Sequence, residues 1–355
     1  MAEIRLMKGN EAIGEAAIRA GADAYFGYPI TPQSEVIEYL MEVKPHERTG
    51  MVVLQAESEL ASINMVYGAA GAGRKVMTTS SSPGISLMME GISYIAGSEL
   101  PCLLVNVVRG GPGLGTIQPS QADYFQATKG GGHGDYKMIV LAPSSVQEMA
   151  DFTKQGFDLA FKYRIPVMLL TDGMIGQMME KVVFPEQEPR MTTFPEWATT
   201  GKTPDRERNI ITSLDLDPSS QEKFNEKLQK KYREVEKNEV RFEKLNCDDA
   251  DYLFIAYGSM ARVCQKSMQF ARKNGIKAGL LRPISLYPFP YDEIKQLASQ
   301  VKGILSVEMS AGQMVEDIRM AVEGKVPVEF YGRMGGIIPS PEEAFENLKQ
   351  KLIGG

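Results

Sequence analysis

Two glutamates in the stretch "LQAESELASINMVYGAAGAG" are the residues of this sequence that most directly suggest chemistry. Glu57 and Glu59 stand where a predicted strand turns into a predicted helix. An acidic residue at a helix N-terminus favours the helix dipole, which explains one of the two without any ligand. Helical spacing places Glu59 on one face with Ile63 and Val66, so its side chain is expected to point into packed structure. A carboxylate in such a place needs a partner, because an unpaired buried charge is neutralised or expelled.

A threonine between two prolines is the second candidate, in "FGYPITPQSE" directly after a predicted strand. Pro29 and Pro32 fix φ on both sides of the dipeptide Ile30-Thr31. Thr31 is a natural N-cap, and Pro32 suits the first turn of a helix. The local pattern therefore predicts a helix cap at Thr31, and a ligand contact is the alternative.

The third candidate is a hydroxyl-rich turn, "TTSSSPGISLMMEG", which contains Ser81 and Ser82. Pro83 and Gly84 open a predicted helix at this turn, and its free N–H groups and hydroxyls suit an oxygen-rich ligand. An ordinary capped turn explains the same residues equally well. Both interpretations stay open on the local pattern alone.

A long glycine-rich loop supplies the fourth candidate. Arg109 ends a wholly apolar predicted strand and enters a loop too long and too rich in glycine to be a simple connection. A guanidinium held there could bind a substrate carboxylate through two parallel hydrogen bonds. His133 lies further along the same loop, where it could carry a proton or serve as a hydrogen-bonding surface group.

Composition excludes several classes of function. Charged residues make up 24% of the 355 residues and the formal net charge is −6, so no basic field would attract nucleic acid or an anionic membrane. The three cysteines lie far apart without a CxxC pair, which leaves no disulfide framework and no cysteine-ligated zinc or iron–sulfur site in this chain. The first residues lack a signal-peptide core and the apolar runs are only strand-sized, so we expect a cytoplasmic protein.

The pattern of apolar residues predicts two α/β units that position these candidates. Residues 10–184 alternate helix and strand, with Asn10 as the predicted N-cap of the first helix. Short apolar strands separated by helices are typical of a mostly parallel sheet with helices on both faces. Ligands bind such sheets at the carboxyl ends of the strands, and the four candidates follow predicted strands.

The predicted domains are residues 1–184 and residues 248–355, joined by a charged segment over residues 185–247. Within that segment, a highly charged helix is expected between about residues 219 and 244. Its charges are those of a solvated face, while one narrow apolar stripe predicts that the helix packs on a domain. The stripe consists of Phe224, Leu228, Tyr232 and Val235.

Taken together, these motifs closely resemble the α subunit of the 2-oxoacid:ferredoxin oxidoreductases. The similarity rests on "GYPITP", "QAESELASINMVYGAA", "TTSSSPGISLMMEG", "VVRGGPGLGTIQPSQADYF" and "GGGHGDY", and continues through "LLRPISLYPFP" and "VEMSAGQM". It covers nearly the whole chain apart from the charged segment, and most resembles the branch that acts on 3-methyl-2-oxobutanoate. The resemblance implies a thiamine diphosphate-binding fold of pyrimidine type, followed by an α/β domain similar to the C-terminal domain of transketolase.

Members of this family oxidatively decarboxylate a 2-oxoacid with coenzyme A and thiamine diphosphate, and pass electrons through iron–sulfur clusters to ferredoxin. By resemblance, Glu59 is the glutamate that contacts the aminopyrimidine ring, with Glu57 as the competing choice. Such a glutamate favours the imino tautomer, which can take the proton from the thiazolium carbon. Thr31 and Arg109 correspond to the residues near the oxygens and the carboxylate of the substrate. The remaining implied contacts are Pro29, Ile30, Ser81 and Ser82 for the cofactor, and His133 for the substrate.

Missing motifs indicate how the active enzyme is assembled. Thiamine enzymes that bind the diphosphate themselves carry Gly-Asp-Gly and Asn-Asn, whereas this chain has Thr171-Asp172-Gly173 and no Asn-Asn. The resemblance therefore implies that a partner β subunit holds the diphosphate and Mg²⁺, and that this chain binds no metal. Iron–sulfur clusters are expected on partners only, namely γ and ferredoxin-like subunits. Two alternatives stay open: the same chemistry on 2-oxoglutarate, and a non-catalytic scaffold whose loops close a partner's pocket.

Overall fold

The computed structural model describes residues 3–354. The strands are β1 Glu3–Lys8, β2 Ala24–Gly27, β3 Val52–Gln55, β4 Val76–Ser80, β5 Cys102–Val108, β6 Ile139–Leu141, β7 Pro166–Asp172, β8 Met179–Phe184, β9 Phe242–Leu245, β10 Tyr252–Ile255, β11 Ala278–Pro283, β12 Ser285–Tyr287, β13 Gly303–Glu308 and β14 Val328–Gly332. The helices are α1 Gly9–Arg19, α2 Ser34–Val43, α3 Pro45–Arg48, α4 Glu59–Gly71, α5 Ser82–Gly97, α6 Tyr124–Thr128, α7 Val146–Tyr163, α8 Gly173–Gln177, α9 Pro218–Asn238, α10 Gly258–Lys273, α11 Tyr291–Ala298, α12 Met314–Val322 and α13 Pro341–Leu348, followed by a π-helical turn Lys349–Gly354.

A seven-stranded sheet forms the centre of the first half, in the order β12-β6-β7-β5-β4-β2-β3. Its neighbouring strands are parallel except for β12 with β6. All residues of β4, β5 and β7 are buried, so helices cover both faces: α1 packs against α2 and α7, while α4 packs against α5. The predicted mostly parallel α/β sheet is confirmed. Since β3 and β4 flank β2 on opposite sides, the topological switch point lies between β2 and β4.

The second half forms a five-stranded sheet in the order β14-β13-β10-β11-β9. Its edge strand β9 is antiparallel and lies inside the segment predicted as a linker. Strand β12, from the second half of the chain, pairs with β6 of the first sheet. Arg282 also makes a bidentate ion pair with Glu148 of α7, with both N–O distances at 2.7 Å. The boundaries predicted at residues 184 and 247 stay a prediction: β9, which precedes residue 247, joins the second sheet, and β12, which follows it, joins the first. None of the helices in residues 3–354 is long and apolar enough to cross a membrane.

Two predicted helix starts are wrong. The first helix begins at Gly9, one residue before Asn10, and the Asn10 side chain turns inward to donate to the carbonyl of Pro32 at 2.8 Å. The second helix begins at Ser34, and Thr31 lies in a turn before it. Buried Gln33 holds that turn, because its side-chain amide donates to the carbonyl of Tyr28 at 2.9 Å. In both places a tertiary hydrogen bond overrides the local capping pattern.

The charged helix α9 packs on the main core through the predicted stripe. Leu228, Tyr232 and Val235 are buried, and Phe224 is half-buried beside them. Its lysines also contribute, since Lys231 lies 2.6 Å from the buried carboxylate of Glu99 and Lys227 pairs with the same group. Burial alone would raise the pKa of Glu99, but hydrogen bonds from these two lysines hold it below its ordinary value. The helix is therefore fixed by an ion-pair cluster as well as by apolar contacts.

Replacing Glu99 with glutamine is expected to lower the free energy of unfolding by about 1–3 kcal/mol at neutral pH. A carboxylate with a depressed folded pKa stabilises the protein above its unfolded pKa, roughly 4.3, and that stabilisation is lost as the pH falls towards the folded pKa. Thermal unfolding of wild type, Glu99→Gln and the exposed control Glu226→Gln at several pH values measures this. Equal midpoints for all three proteins at neutral pH would show that the cluster contributes nothing.

Candidate active site

The predicted site residues converge at one edge of the seven-stranded sheet. The carboxyl ends of β5, β4, β2 and β3 lie side by side there, around the switch point. Arg109 follows β5, Ser81 and Ser82 follow β4, Thr31 follows β2, and Glu59 opens the helix after β3. Parallel strands leave a crevice at such an edge, which is where open α/β sheets bind ligands.

Glu59 is buried and has no protein partner. Only 6% of the residue is exposed, and among residues 3–354 no hydrogen bond or ion pair to its carboxylate is found. The adjacent Ser58 caps α4 by accepting from the N–H of Ala61 at 3.2 Å, so the cap does not need Glu59. Glu57 is exposed. The prediction that Glu59 lies on the inward face of α4 is thus confirmed. Its buried carboxylate lacks the hydrogen-bond donor or cation that a buried charge requires.

Gly84 makes room for the Glu59 carboxylate at the start of α5. A Cβ atom at Gly84 would lie 2.5 Å from Oε1 of Glu59 and would also collide with Oγ of Ser80. Both contacts are far shorter than van der Waals distance, so any larger residue would displace the carboxylate. The glycine that opens α5 in the sequence therefore serves close approach at this site.

Unpaired hydroxyl groups lie on the elements that carry Glu59 and Gly84 and on the strand before Gly84. On α4, on β4 and at the start of α5, four buried hydroxyl oxygens have no hydrogen-bond partner among the described residues: Ser62 Oγ, Thr78 Oγ1, Ser80 Oγ and Ser81 Oγ. Buried polar groups are almost always paired, so such a group of exceptions calls for an explanation. A carboxylate acceptor beside free hydroxyls suits a nitrogen heterocycle that brings its own N–H donors. These residues fit a polar ring in the crevice.

Arg109 connects the loops of the site. Its Nη1 donates to the carbonyl of Thr31 at 2.9 Å and its Nη2 to the carbonyl of Leu114 at 3.0 Å. The hydroxyl of Ser82 accepts from its backbone N–H at 3.1 Å. Arg109 is only 8% exposed, and its Nε finds no partner in the described residues. Thr31, Ser82 and Arg109 therefore lie together, with donor capacity of the guanidinium unused.

The dipeptide before Thr31 forms the other wall of the turn. Pro29 and Ile30 are half-buried, and the carbonyl of Ile30 accepts from the N–H of Gln33 at 2.9 Å. The Thr31 side chain itself is exposed. The structure thus presents this threonine at the surface of the crevice, where a ligand or a partner chain can reach it.

His133 lies elsewhere. It is exposed, its carbonyl accepts from Ser93 Oγ at 2.7 Å, and its ring packs edge-on to Tyr94. Ser93 stands eleven residues along α5 from Ser82, which is roughly 16 Å at the rise of an α-helix. The structure therefore does not bring His133 to the cluster around Arg109.

Two polar residues that sequence reasoning missed support the site. Asn106, within the apolar strand β5, accepts from the N–H of Ser82 at 3.1 Å and donates to Asp123 at 2.8 Å. Burial raises the pKa of Asp123 despite hydrogen bonds from Ser82 and Asn106. An asparagine inside an otherwise apolar strand was the available signal, because it needs partners when buried.

Asp172 of the "TDG" triplet has a structural role. Its carboxylate caps α8, accepting from the N–H of Met174 at 2.9 Å, and also accepts from Oγ of Ser259 in the second half at 2.6 Å. Burial raises its pKa against these hydrogen bonds. This aspartate therefore joins the two halves of the chain.

Both halves of the sequence match known families. Residues 15–244 match the family described as pyruvate flavodoxin/ferredoxin oxidoreductase, thiamine diphosphate-binding. Residues 250–344 match pyruvate:ferredoxin oxidoreductase core domain II. The first match runs through the charged segment, so the similarity is wider than the motifs alone indicated.

Relatives along the whole chain carry related names. The chain is 51% identical over 346 residues to the ketoisovalerate oxidoreductase subunit VorB of Methanothermobacter thermautotrophicus, covering 98% of this chain and 97% of that protein. It is 36% identical over 375 residues to the 2-oxoglutarate synthase subunit KorA of Methanocaldococcus jannaschii, covering 99% and 100%.

Solved structures agree with these matches. The fold is similar to the 2-oxoglutarate:ferredoxin oxidoreductase of Magnetococcus marinus, solved with 2-oxoglutarate, coenzyme A and succinyl-CoA bound, with a TM-score of 0.84 and 29% identity over 98% of this chain and 65% of that longer one. A split-gene transketolase, with a TM-score of 0.61 and 12% identity over 98% of both chains, shares the fold alone. The strand-end site and both sequence matches lead to one conclusion: the chain belongs to the 2-oxoacid:ferredoxin oxidoreductase family and carries its thiamine diphosphate-binding fold.

Proposed function

We propose that this chain is the subunit that contributes the glutamate, Glu59, which contacts a thiamine diphosphate bound mainly by a partner subunit. The observation that carries the proposal is the buried carboxylate of Glu59, which lacks a protein donor and lies against Gly84. A ring nitrogen that carries a proton would supply the missing donor, and the hydrogen bond would be charge-assisted. This hydrogen bond would contribute about 1.5–3 kcal/mol to binding of the cofactor, and more in a site that excludes water.

Pro29, Ile30, Ser81 and Ser82 would hold the ring end of the cofactor beside Glu59. The unpaired hydroxyl of Ser81 supports this placement. When bound, thiamine diphosphate supplies the electron sink that decarboxylation of a 2-oxoacid needs. Glu59 would hold the proton that passes between the carboxylate and the ring nitrogen.

Arg109 and Thr31 would bind the 2-oxoacid. A guanidinium has five N–H donors, and two of those of Arg109 go to the carbonyls of Thr31 and Leu114. The others can bind a carboxylate, and the exposed hydroxyl of Thr31 can reach an oxygen of the same substrate. His133 stays out of this site, because it packs near the far end of α5.

The proposed substrate is a branched-chain 2-oxoacid, 3-methyl-2-oxobutanoate, converted with coenzyme A to an acyl-CoA and CO₂. Sequence identity supports this choice over 2-oxoglutarate, at 51% to a ketoisovalerate subunit against 36% to a 2-oxoglutarate subunit. Beside Arg109, the loop carries the exposed apolar side chains of Leu114 and Ile117. An isopropyl group suits such a surface, whereas a second carboxylate would need a second cation.

Partners complete the proposed enzyme. A β subunit would hold the diphosphate and Mg²⁺, and γ and ferredoxin-like subunits would carry the iron–sulfur clusters that deliver electrons to ferredoxin. All three cysteines of this chain are buried, and burial raises the pKa of the Cys102 and Cys264 thiols. Thiolate ligation by these residues is disfavoured.

A screen of 2-oxoacids on the co-expressed complex, with a viologen dye as electron acceptor, tests the proposal. We expect the highest kcat/KM for 3-methyl-2-oxobutanoate, by roughly tenfold or more over 2-oxoglutarate, because burying a charged carboxylate against apolar side chains costs several kcal/mol. The isolated chain should show no turnover. Full turnover by the isolated chain, or a preference for 2-oxoglutarate, would contradict the proposal.

A further inference from the structure

The second sheet has a switch point of its own. Strand β10 lies between β11 and β13, and all three are parallel. The crevice between the carboxyl ends of β10 and β13 is therefore the position at which an open α/β sheet takes its ligand. Tyr257 follows β10 and Met309 follows β13, so these two residues form the rim of that crevice.

A glutamine of the first half fills this crevice. Gln121, in the loop between β5 and α6, is only 2% exposed. Its side-chain Nε2 donates to the carbonyl of Tyr257 at 2.9 Å, and its Oε1 accepts from the N–H of Met309 at 3.1 Å. Its backbone N–H donates to the carbonyl of Met309 at 2.8 Å, and its carbonyl accepts from the Tyr257 hydroxyl at 3.3 Å. The backbone and the side-chain amide of Gln121 thus both bind the second half.

The residues next to Gln121 are held in the same way. Ser120 donates from Oγ to the carbonyl of Met309 at 3.1 Å. Gln313, at the start of α12, donates to the carbonyl of Ala122 at 2.7 Å and accepts from the N–H of Phe125 at 2.8 Å. The second half therefore binds residues 120–125 through both their backbone and their side chains, much as a binding site binds a peptide.

This segment forms the base of the loop that carries Arg109. Arg109 and Pro119 form a β-bridge, and the N–H of Gly110 donates to the carbonyl of Gln118 at 3.0 Å. Residues 109–119 are thus a closed loop whose returning end runs directly into Ser120 and Gln121. Fixing Gln121 therefore fixes the returning end of the loop, whose backbone pairs with that of Arg109 and Gly110.

We infer that the second domain binds the segment Ser120–Gln121 as an internal ligand at its switch point, and that Gln121 is a positioning residue for Arg109. In this inference the crevice is filled by Gln121 and not by a small molecule. The second half of the chain thereby holds the loop of residues 109–119 in the geometry that Arg109 needs. The kinetic consequence rests on the proposed role of Arg109 in binding the 2-oxoacid, whereas the structural consequence does not.

The kinetic test compares Gln121→Met with Arg282→Met in the co-expressed complex. Methionine matches glutamine in length but leaves the Met309 N–H unpaired and leaves the Tyr257 carbonyl with the N–H of Ala261 at 3.2 Å as its donor. Arg282→Met also removes a buried contact between the halves, the ion pair with Glu148, without touching residues 109–125. We expect KM for the 2-oxoacid to rise about tenfold in Gln121→Met and less than about twofold in Arg282→Met. An unchanged KM in Gln121→Met, or an equal rise in both variants, would overturn the inference.

Amide hydrogen exchange on the full chain tests the same inference without activity. Two amides report on loop closure: Gly110, which donates to Gln118, and Thr116, which donates to the carbonyl of Gly110 at 2.7 Å. Both should exchange about tenfold faster in Gln121→Met than in wild type or Arg282→Met. If Gln121→Met does not fold, Tyr257→Phe removes only the hydroxyl bond, and about threefold faster exchange is expected. Wild-type exchange rates in the variant would refute positioning, while a complex inactive on every 2-oxoacid would refute only the proposed function.

Discussion

Replacing Glu59 with glutamine is expected to lower kcat of the co-expressed complex by about 10²–10⁴-fold, the range attributed to a positioned proton-transfer group. Glutamine fills the same space beside Gly84 but carries no charge and cannot take up a proton from a ring nitrogen. Because Glu59 is buried without a partner in this chain, removing its charge also relieves an unfavourable burial. The isolated Glu59→Gln chain should therefore unfold at the same temperature as wild type or a higher one.

That combination of lost activity and retained stability separates catalysis from a structural role. Viologen reduction measures kcat, size-exclusion chromatography checks that the complex assembles, and thermal unfolding compares the isolated chains. Glu57→Gln is the matched control, since it makes the same change two residues away at an exposed position. Near wild-type activity in Glu59→Gln, together with a large loss in Glu57→Gln, would transfer the proposed role to Glu57.

Sequence reasoning reached those parts of the site that depend on local periodicity. The inward direction of Glu59 follows from helical spacing with Ile63 and Val66, and all three residues are buried. The position of Arg109 at the edge of the sheet follows from the apolar strand before it. Both inferences use only the geometry of one element and the rule that ligands meet strand ends.

What sequence reasoning missed depends on contacts between distant parts of the chain. The Asn10 side chain bonds to Pro32 and that of Gln33 to Tyr28, so the cap expected at Thr31 is replaced by a turn. Gln121 bonds to Tyr257, which is 136 positions away along the chain, and to Met309, which is 188 positions away. No periodic pattern encodes these pairings, because a buried polar side chain in the sequence shows that it needs a partner but not which one.

Replacing Arg109 with lysine is expected to lower kcat/KM for the 2-oxoacid by about tenfold, and replacing it with alanine by about 100-fold, mainly through a higher KM. Each charge-assisted hydrogen bond lost costs about 1.5–3 kcal/mol, and lysine keeps the charge but not the fork that binds a carboxylate at two points. Alanine also frees the carbonyls of Thr31 and Leu114, which Arg109 now holds at 2.9 and 3.0 Å. The alanine variant therefore loses both the substrate contact and the order of its loops.

The same two variants decide between a catalytic subunit and a scaffold. A scaffold whose loops only close a partner's pocket would lose assembly in Arg109→Ala, and the fraction that still assembles would keep the KM of wild type. Arg262→Ala is the control, because this half-exposed arginine on α10 bonds to the carbonyl of Ser144 at 3.1 Å, outside the loop of Arg109. If Arg109 contacts the substrate, both variants should assemble normally and show a higher KM than wild type. The increase should be smaller for Arg109→Lys than for Arg109→Ala. The same KM in wild type, Arg109→Lys and Arg109→Ala would show that Arg109 has only a structural role. A carboxylate that Arg109 binds would lose affinity when the guanidinium is removed.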